Sequence, residues 1–370
     1  MTTFVCGCRD LTPLGSGRYS KVFAAKRSAP ADSVAIKMFK PDDSDSFANE
    51  VKILFTLAKG VLDADNLCLP LSVDAHVRMK DDVPRVHPCI IFPLATMSVR
   101  QLITWSKCSR DSPLSISTTK TIMRHVLQGL RHMHCTGIIH ADIKPSNLLV
   151  YAQTPRPEDF LESVGYTVRI CDMGLSSREE KLYSYSAGTD GYMSPEVLVG
   201  AAYDCSTDIW SAMCTCYMLM IGEHLFDVHD DHDIDYGEDI RQLFTHYRDE
   251  LYDNSGHSSS VTMSETSSIG TKSAVYDAIE RVHMALIVKL LGPCPPCIAR
   301  TCRHLFDRTG TLREVALGAT LSIEELITRN YEMEDTQREW LCEFIMLGLK
   351  YAPEDRKTAG ELLDSDLLAL

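Results

Sequence analysis

The chain has 370 residues, of which 45% are apolar and 24% are charged, and its formal net charge is −14. This composition is typical of a globular protein long enough to form two lobes around a packed core. The negative charge disfavours direct binding of nucleic acid, which requires a basic surface, but it is compatible with basic substrates.

The N-terminal residues MTTFVCGCRDLTPLGSG contain neither the basic nor the apolar region of a signal peptide. The fourteen cysteines are therefore interpreted as free thiols in a reducing compartment. Neither end of the sequence carries a lipidation motif. We expect a monomeric protein of the cytoplasm or the nucleus that does not bind membranes.

Residues 11–40 are predicted to form three strands, because β-branched and aromatic residues occur there between turn signals. A G-x-G-x-x-S array made of Gly15, Gly17 and Ser20 separates the first two strands. Glycines at these positions would allow backbone amides to approach the phosphates of a nucleotide. Glycines also mark ordinary hairpin turns, so this array alone is a weak signal.

Lys37 lies in the apolar sequence VAIK, seventeen residues after Ser20. Its placement resembles that of the protein kinase lysine that pairs with nucleotide phosphates and a helix glutamate. Taken alone, it fits a surface lysine whose charged end reaches solvent. A helix is predicted over residues 44–60, and Glu50 is the acid within its core. The sequence PCIIFPLA then predicts a short buried strand that ends at Pro93.

The strongest signal is the stretch GIIHADIKPSNLLV, which follows a helix predicted over residues 115–137. Asp142 is a candidate catalytic base, or it orients a substrate hydroxyl. Lys144 is a candidate for neutralising a transferred phosphoryl group, and Asn147 for holding a magnesium ion. Asp172 follows an apolar strand in VRICDMGL and is a second candidate magnesium ligand, although a lone D-x-G is usually a turn.

The C-terminal half is predicted to be helical. The run IWSAMCTCYMLMIG has 14 residues, which is too short for a membrane span and predicts a buried core helix. Glu196 in GTDGYMSPEVL is expected to pair with Arg356, because a charge removed from water needs an opposite charge. Helices are predicted at residues 207–221, 278–291, 322–331, 338–349 and 359–368.

Two segments are interpreted as insertions. The prolines within residues 151–166 predict a loop. Residues 227–273 begin with DVHDDHDIDYGED, in which seven of thirteen residues are acidic, and continue as a Ser- and Thr-rich stretch. This composition predicts a flexible surface segment. The segment either attracts basic peptides or is a solvated loop without a binding role.

The tract PCPPCIARTCRH offers four candidate zinc ligands, Cys294, Cys297, Cys302 and His304. The chain contains no second C-x-x-C pair, and the two prolines between Cys294 and Cys297 suit a turn after a helix. Ordinary loop thiols are therefore the favoured interpretation of this tract.

These motifs, in this order, resemble those of the eukaryotic protein kinases over residues 11–368. The resemblance implies an α+β fold with two lobes, a β-rich lobe over residues 1–94 and a helical lobe over residues 95–370. It also implies ATP and Mg²⁺ as cofactors, protein substrates, and transfer of the γ-phosphoryl group of ATP to serine or threonine hydroxyls.

The resemblance assigns roles to individual residues. Asp142, Lys144, Lys37 and Thr189 are the expected catalytic residues, and Asn147 and Asp172 the expected metal ligands. The residues expected to contact ATP are Leu14, Gly15, Gly17, Ser20, Val22, Ala35, Lys37, Glu50, Phe92, Leu94, Ala95, Asn147, Leu149 and Asp172.

Ala141 stands where the family carries an arginine that binds a phosphorylated activation loop. We therefore expect an enzyme that is active without this phosphorylation; a nucleotide-binding scaffold and a small-molecule kinase are the alternatives.

Within the family, the motifs are similar to the CMGC set and above all to SR-protein kinases. Substrates that are basic or rich in Arg and Ser are thus expected. Met193 departs from the arginine that the CMGC set carries after Tyr192.

Overall fold

The structure is a computed structural model of the chain. It describes residues 5–17, 19–27, 32–60, 64–80, 83–163, 165–178, 188–228, 234–251, 269–300, 302, 304–313 and 315–369. For residues 80, 162–163, 248–251, 269–277 and 297 only the backbone is described.

The N-terminal part is a five-stranded antiparallel sheet in the order β1–β2–β3–β5–β4. Its strands are β1 (Cys8–Ser16), β2 (Ser20–Arg27), β3 (Ser33–Phe39), β4 (Ser72–Lys80) and β5 (Val83–Pro93). The three strands predicted within residues 11–40 are confirmed. The strand predicted at PCIIFPLA is confirmed but starts earlier, because it forms a hairpin with β4, which was not predicted.

Helix α1 (Ser44–Ala58) connects β3 to the rest of the sheet. It buries Glu50, Ile53, Leu54 and Leu57, which share one face at helical spacing. Three of these side chains are apolar and join the main core. This packing holds Glu50 in the interior, beside the sheet.

The C-terminal part is mainly helical. Its helices are α2 (Val99–Arg110), α3 (Ile116–Cys135), α4 (Pro157–Ser163), α5 (Pro195–Leu198), α6 (Ser206–Ile221), α7 (Glu238–Leu251), α8 (Ile269–Leu291), α9 (Pro296–Ala299), α10 (Ile323–Asn330), α11 (Asp335–Ile345) and α12 (Ala359–Leu363). Its strands form two small sheets, β6 (Met97–Ser98) with β8 (Leu148–Ala152) and β9 (Tyr166–Ile170), and β7 (Ile138–Ile139) with β10 (Ser177–Arg178).

Helix α6 runs through the interior, since nearly all its residues are buried. This confirms the predicted core helix. No helix in the described part of the chain is long and apolar enough to cross a membrane. Buried cysteines such as Cys8, Cys214 and Cys216 are free thiols, as predicted.

The loop predicted within residues 151–166 contains helix α4. Pro157 is its first residue, where the missing N–H of proline costs no hydrogen bond. Glu158 and Asp159 follow in the first turn, where negative charge is favourable. Phe160 is buried and packs on Tyr166 at a ring-centroid distance of 5.4 Å. The loop prediction was wrong here because Pro155 precedes the helix and Pro157 is its first residue, so neither proline interrupts it.

The flexible segment predicted at residues 227–273 contains helix α7 and the beginning of α8. Ile240, Leu243, Phe244 and Tyr247 are buried at helical spacing and belong to the main core. The prediction was therefore wrong for residues 238–251, because one apolar face is buried despite the acidic composition. Residues 229–233 and 252–268 lie outside the described part of the chain.

Candidate active site

A lysine on the sheet connects α1 to the segment after β9. Nζ of Lys37, in β3, donates to Oε1 and Oε2 of Glu50 at 2.8 and 2.7 Å. The same Nζ donates to Oδ1 of Asp172 at 2.7 Å. The Glu50 side chain is 2% exposed, whereas that of Asp172 is 49% exposed. A buried carboxylate needs an opposite charge, so Lys37 and Glu50 hold each other in place.

Lys37, Glu50 and Asp172 shift one another's pKa values. Burial raises the pKa of Glu50, and the ammonium of Lys37 offsets this rise only in part. Burial alone would lower the pKa of Lys37, but attraction to Asp172 and Glu50 raises it above its usual value. Burial alone would raise the pKa of Asp172, yet Lys37 holds it below its usual value. Lys37 and Asp172 are therefore both charged at neutral pH.

Asp142 and Asn147 are hydrogen-bonded to each other across the 3₁₀ turn Pro145–Asn147. Nδ2 of Asn147 donates to the backbone oxygen of Asp142 at 2.9 Å and to its Oδ2 at 2.8 Å. Both side chains are largely buried. The loop between them is thus closed on itself, which fixes the direction of the Asp142 carboxylate.

Thr189 contacts the same carboxylate from the segment that precedes α5. Its Oγ1 donates to Oδ1 of Asp142 at 2.6 Å and accepts from Nζ of Lys144 at 2.5 Å. Nζ of Lys144 also lies 2.8 Å from Oδ2 of Asp142. These contacts attach the segment before α5 to the turn that carries Asp142.

A buried carboxylate on α6 holds the backbone before Asp142. Asp208 is 1% exposed and accepts from the backbone N–H groups of His140 at 2.9 Å and Ala141 at 2.8 Å. Its Oδ2 also lies 2.9 Å from Nε2 of His134. Ala141 has a φ of 65°, a left-handed conformation that is uncommon for residues other than glycine. The hydrogen bonds to Asp208 stabilise this conformation.

His140 connects the two acidic groups of the site. Its Nδ1 accepts from the backbone N–H of Asp142 at 3.1 Å. Its Nε2 lies 3.0 Å from the backbone oxygen of Cys171, so Nε2 carries the ring proton. The ring therefore fixes Asp142 relative to Asp172, which directly follows Cys171.

The side chain of Ala141 lies in a small apolar cluster with Ile139, Val197 and Tyr203. Met193 packs against this cluster. The cluster thus joins the backbone before Asp142 to α5 without a charged group at position 141.

These contacts occur at the sequence motifs that indicated a phosphotransferase, and comparison with known families agrees. Residues 8–368 match the family described as protein kinase domain. The chain belongs to the protein kinase family. The predicted family and the predicted α+β kinase fold are confirmed.

The curated relatives that this kinase chain matches include kinases named as serine/threonine-specific and as dual-specificity. Serine/threonine-protein kinase prpf4B of Dictyostelium discoideum is 30% identical over 64% of this chain and 27% of its own length. SRSF protein kinase 3 of Homo sapiens is 27% identical over 69% of this chain and 38% of its own length. Mitogen-activated protein kinase HOG1 of Hortaea werneckii is 27% identical over 61% of this chain and 56% of its own length. The matches thus cover between about a quarter and just over half of these relatives.

Several residues expected to contact ATP share one face of the sheet. Val22 is paired directly with Lys37 between β2 and β3, and Ala35 with Phe92 between β3 and β5. Directly paired residues lie on the same face, as do residues two apart in a strand. Val22, Ala35 and Phe92 therefore surround Lys37 on its side of the sheet. Leu149 lies in β8, directly after the turn that carries Asn147. Leu14 lies in β1, and Leu94 and Ala95 follow β5.

The glycine-rich hairpin does not require glycine for its own folding. Neither Gly15 nor Gly17 has a positive φ. A Cβ at Gly15 would meet no atom within 4 Å, and one at Gly17 would meet only the backbone oxygen of Ser20 at 3.9 Å. The backbone N–H of Gly17 donates to that oxygen at 2.8 Å, while Ser20 itself is buried. The position that a Cβ would take at each glycine is therefore free of close contacts with described atoms.

One contact at residues 92–95 was not predicted. The hydroxyl of Tyr151 donates to the backbone oxygen of Pro93 at 3.3 Å and lies 3.2 Å from Sγ of Cys68. The guanidinium of Arg169 lies 4.5 Å from the centre of the Tyr151 ring. Tyr151 therefore positions the segment that connects the sheet to α2. Pro93 and Tyr151 are 58 residues apart, and no local pattern indicates their contact.

Proposed function

We propose that this chain is a protein serine/threonine kinase that transfers the γ-phosphoryl group of ATP to protein hydroxyls. The observation that carries the proposal is the simultaneous placement of two groups, Lys37 with its two carboxylates and Asp142 with its hydroxyl and ammonium partners. Phosphoryl transfer depends mainly on positioning and on charge stabilisation, and kinases need their lysine–glutamate pair in place.

The side chains fit a magnesium nucleotide. Asn147 uses Nδ2 toward Asp142, and its Oδ1 accepts no hydrogen bond from a described residue. Asp172 uses Oδ1 toward Lys37 and Gly174, which leaves Oδ2 without a donor among the described residues. Mg²⁺ prefers oxygen ligands, often one or two carboxylates together with phosphate oxygens. We therefore assign Asn147 and Asp172 as the residues that hold it.

The proposed mechanism assigns a task to each group. When bound, ATP and Mg²⁺ supply the phosphoryl group and neutralise charge on its oxygens. Asp142 accepts the proton of the attacking serine or threonine hydroxyl, or aligns that hydroxyl. Lys144 stabilises negative charge that develops beside Asp142. Lys37, which Glu50 holds in place, is positioned to pair with nucleotide phosphates.

An assay of phosphoryl transfer tests this proposal. The purified chain is incubated with ATP, Mg²⁺ and a peptide library, and the products are identified by mass spectrometry. We expect phosphoserine or phosphothreonine in the peptides. ATP binding without any transfer would instead support the nucleotide-binding scaffold. The monomeric state and the cytoplasmic or nuclear location stay predictions from the sequence.

The proposed kinase is active without phosphorylation of the activation segment. The apolar cluster around Ala141 and the hydrogen bond from Thr189 to Asp142 hold the end of this segment without a phosphate. An arginine at position 141 would have provided a charge-assisted contact to a phosphate, and alanine provides none. Residues 179–187 of the segment lie outside the described part of the chain.

Phosphatase treatment is therefore expected to leave the activity unchanged. The chain is produced in bacteria, treated with phosphatase, checked by intact mass, and compared with a sample treated with inactivated phosphatase. The measured quantity is kcat/KM for one peptide at saturating ATP. A loss of activity that returns when the segment is phosphorylated again would contradict the proposal.

We further propose basic or Arg/Ser-rich protein substrates. The similarity to SRSF protein kinase 3 and the net charge of −14 support this preference. Among the described acids of the segment after α6, Asp235, Glu238 and Asp239 pair with basic side chains, and Asp227 is buried. Arg241 lies 3.5 Å from Asp235 and 2.9 Å from Glu238, and Lys289 lies 2.8 Å from Asp239. Attraction by this segment therefore depends on acids outside the described residues.

Neutralising Asp230, Asp231 and Asp233 to Asn is expected to raise KM for an Arg/Ser-rich peptide about fivefold. This corresponds to the loss of an exposed ion pair worth about 1 kcal/mol. The effect should shrink as salt is added, because exposed charges are screened. The control carries the same charge change at the exposed Asp111, Asp364 and Asp366. An equal rise of KM in the control, or no preference for basic peptides, would contradict the proposal.

A further inference from the structure

Three side chains of metal-binding types lie together where the segment after α9 passes α8. Cys302 is 1% exposed, and its Sγ lies 3.3 Å from Nδ1 and 3.5 Å from Nε2 of His304. The same Nε2 lies 3.2 Å from Oε1 of Glu280, on α8. All three ligand atoms lie within 4.8 Å of one another. None of these residues belongs to the proposed kinase site.

Two of the distances among these atoms match edges of a tetrahedron around zinc. Zn–S bonds of about 2.3 Å and Zn–N bonds of about 2.0–2.1 Å place sulfur and nitrogen about 3.5 Å apart in tetrahedral geometry. Nitrogen and carboxylate oxygen are then about 3.3 Å apart. The observed separations are 3.5 Å and 3.2 Å. Both pairs are therefore already spaced as ligands of one ion.

We propose that Glu280, Cys302 and His304 bind a zinc ion. Zinc accepts thiolate, imidazole and carboxylate ligands together, whereas Mg²⁺ and Ca²⁺ prefer oxygen alone. Zinc binds the thiolate, so Cys302 releases its proton to solvent when the ion enters. Three protein ligands leave the fourth position of the tetrahedron for water or one more side chain.

This ligand set differs from the one that the sequence suggested. Cys302 and His304 come from the tract PCPPCIARTCRH, but Glu280 lies 24 residues before His304. Sγ of Cys294 instead lies 3.8 Å from the backbone oxygen of Pro295, outside the group. The side chain of Cys297 lies outside the described part of the structure. The four candidate ligands, for which ordinary loop thiols were the favoured interpretation, are thus not assembled among the described residues, and a glutamate on α8 completes the site.

The ion would attach the segment after α9 to α8. Leu305 and Phe306, next in the chain, are buried, and Phe306 forms a backbone bridge with Leu312. The segment therefore already packs against the core, and zinc adds a cross-link from its beginning to α8. Helix α8 in turn contacts α5, beside the proposed kinase site. A structural role follows, since the site lies apart from the reacting groups.

Metal analysis of the 370-residue chain tests the proposal. The protein is produced with added zinc, dialysed and measured for zinc by mass spectrometry; a second sample is loaded with Co²⁺. We expect one zinc per chain and, with Co²⁺, a thiolate-to-metal charge-transfer band. The exposed His304→Ala and the conservative Glu280→Gln should each lose stoichiometric zinc while folding normally by circular dichroism. Cys302→Ser should lose the charge-transfer band, and Cys135→Ser, an exposed cysteine elsewhere, should keep it.

Zinc-free wild-type protein that also gives no charge-transfer band with Co²⁺ would overturn the proposal. So would His304→Ala and Glu280→Gln proteins that keep wild-type zinc content. Chelation gives a measurement that does not depend on any variant. A strong chelator should lower the Tm of the wild type and leave that of His304→Ala unchanged, whereas equal effects on both would exclude the assigned ligands.

Discussion

Replacing Asp142 by Asn is expected to lower kcat for phosphoryl transfer by about 10²- to 10⁴-fold. The carboxylate accepts hydrogen bonds from Thr189 and Asn147, and Lys144 lies 2.8 Å away. An amide has nearly the same shape but cannot accept the proton of a substrate hydroxyl, and its NH₂ group would face these donors. The measurement is kcat at saturating ATP and peptide, together with Tm to verify folding.

Asp111→Asn is the matched control for this substitution. Asp111 is exposed and has a φ of 50°, a conformation that asparagine tolerates well. The control should therefore retain both wild-type kcat and wild-type Tm. Substantial activity in Asp142→Asn would show that Asp142 is not the base or that the measured transfer comes from a contaminant.

Replacing Arg356 by Met is expected to lower the free energy of unfolding by about 3–5 kcal/mol. Its guanidinium donates to both carboxylate oxygens of Glu196 at 2.6 Å, and the two side chains are 0% and 5% exposed. This confirms the pair predicted from the sequence. Removal of the arginine leaves a buried carboxylate without an opposite charge. Urea unfolding measures the loss, and circular dichroism shows whether the variant still folds.

Two further variants separate charge from packing in this pair. Adding Glu196→Gln to Arg356→Met removes the uncompensated charge and should recover part of the lost stability. Arg241→Met breaks an exposed pair with Glu238, in which both side chains are more than 60% exposed, and should cost at most about 1 kcal/mol. Equal losses for Arg356→Met and Arg241→Met would mean that burial of the pair contributes nothing.

Most of the candidate site could be predicted because local sequence specifies it. Asp142 and Asn147 lie five residues apart within one turn, and their side chains meet. Lys37 occupies a strand of clear alternation, and Glu50 lies on the buried face of a regular helix. Strand and helix periodicity thus predicted the two elements, and the resemblance to protein kinases implied that Lys37 and Glu50 pair. The catalytic and ligand-binding roles of these residues stay predictions until the assays are done.

The errors in the predicted fold arose where the prediction gave overall composition more weight than a local sequence pattern. Acidic residues around α7 suggested a flexible segment, although its apolar residues follow helical spacing. Prolines at the start of α4 suggested a loop, although proline is well tolerated at the first helical position. Helix α2 was not predicted, yet Ser98 and Gln101 form a reciprocal capping box at its start. Each signal was present in the sequence.

The sequence by itself determined the kinase family through the resemblance of its motifs, and that resemblance indicated the residues of the candidate site. Hydrophobic periodicity predicted most of the main elements, because it depends only on residues near one another in the chain. Only the tertiary structure decided how they are held. Asp208 supports the left-handed Ala141 from 67 residues away, and Glu280 reaches His304 from 24 residues away. Hydrogen bonds and metal ligation act over about 2–3.5 Å. Such contacts depend on how distant elements pack against one another, and no local pattern in the chain encodes that distance.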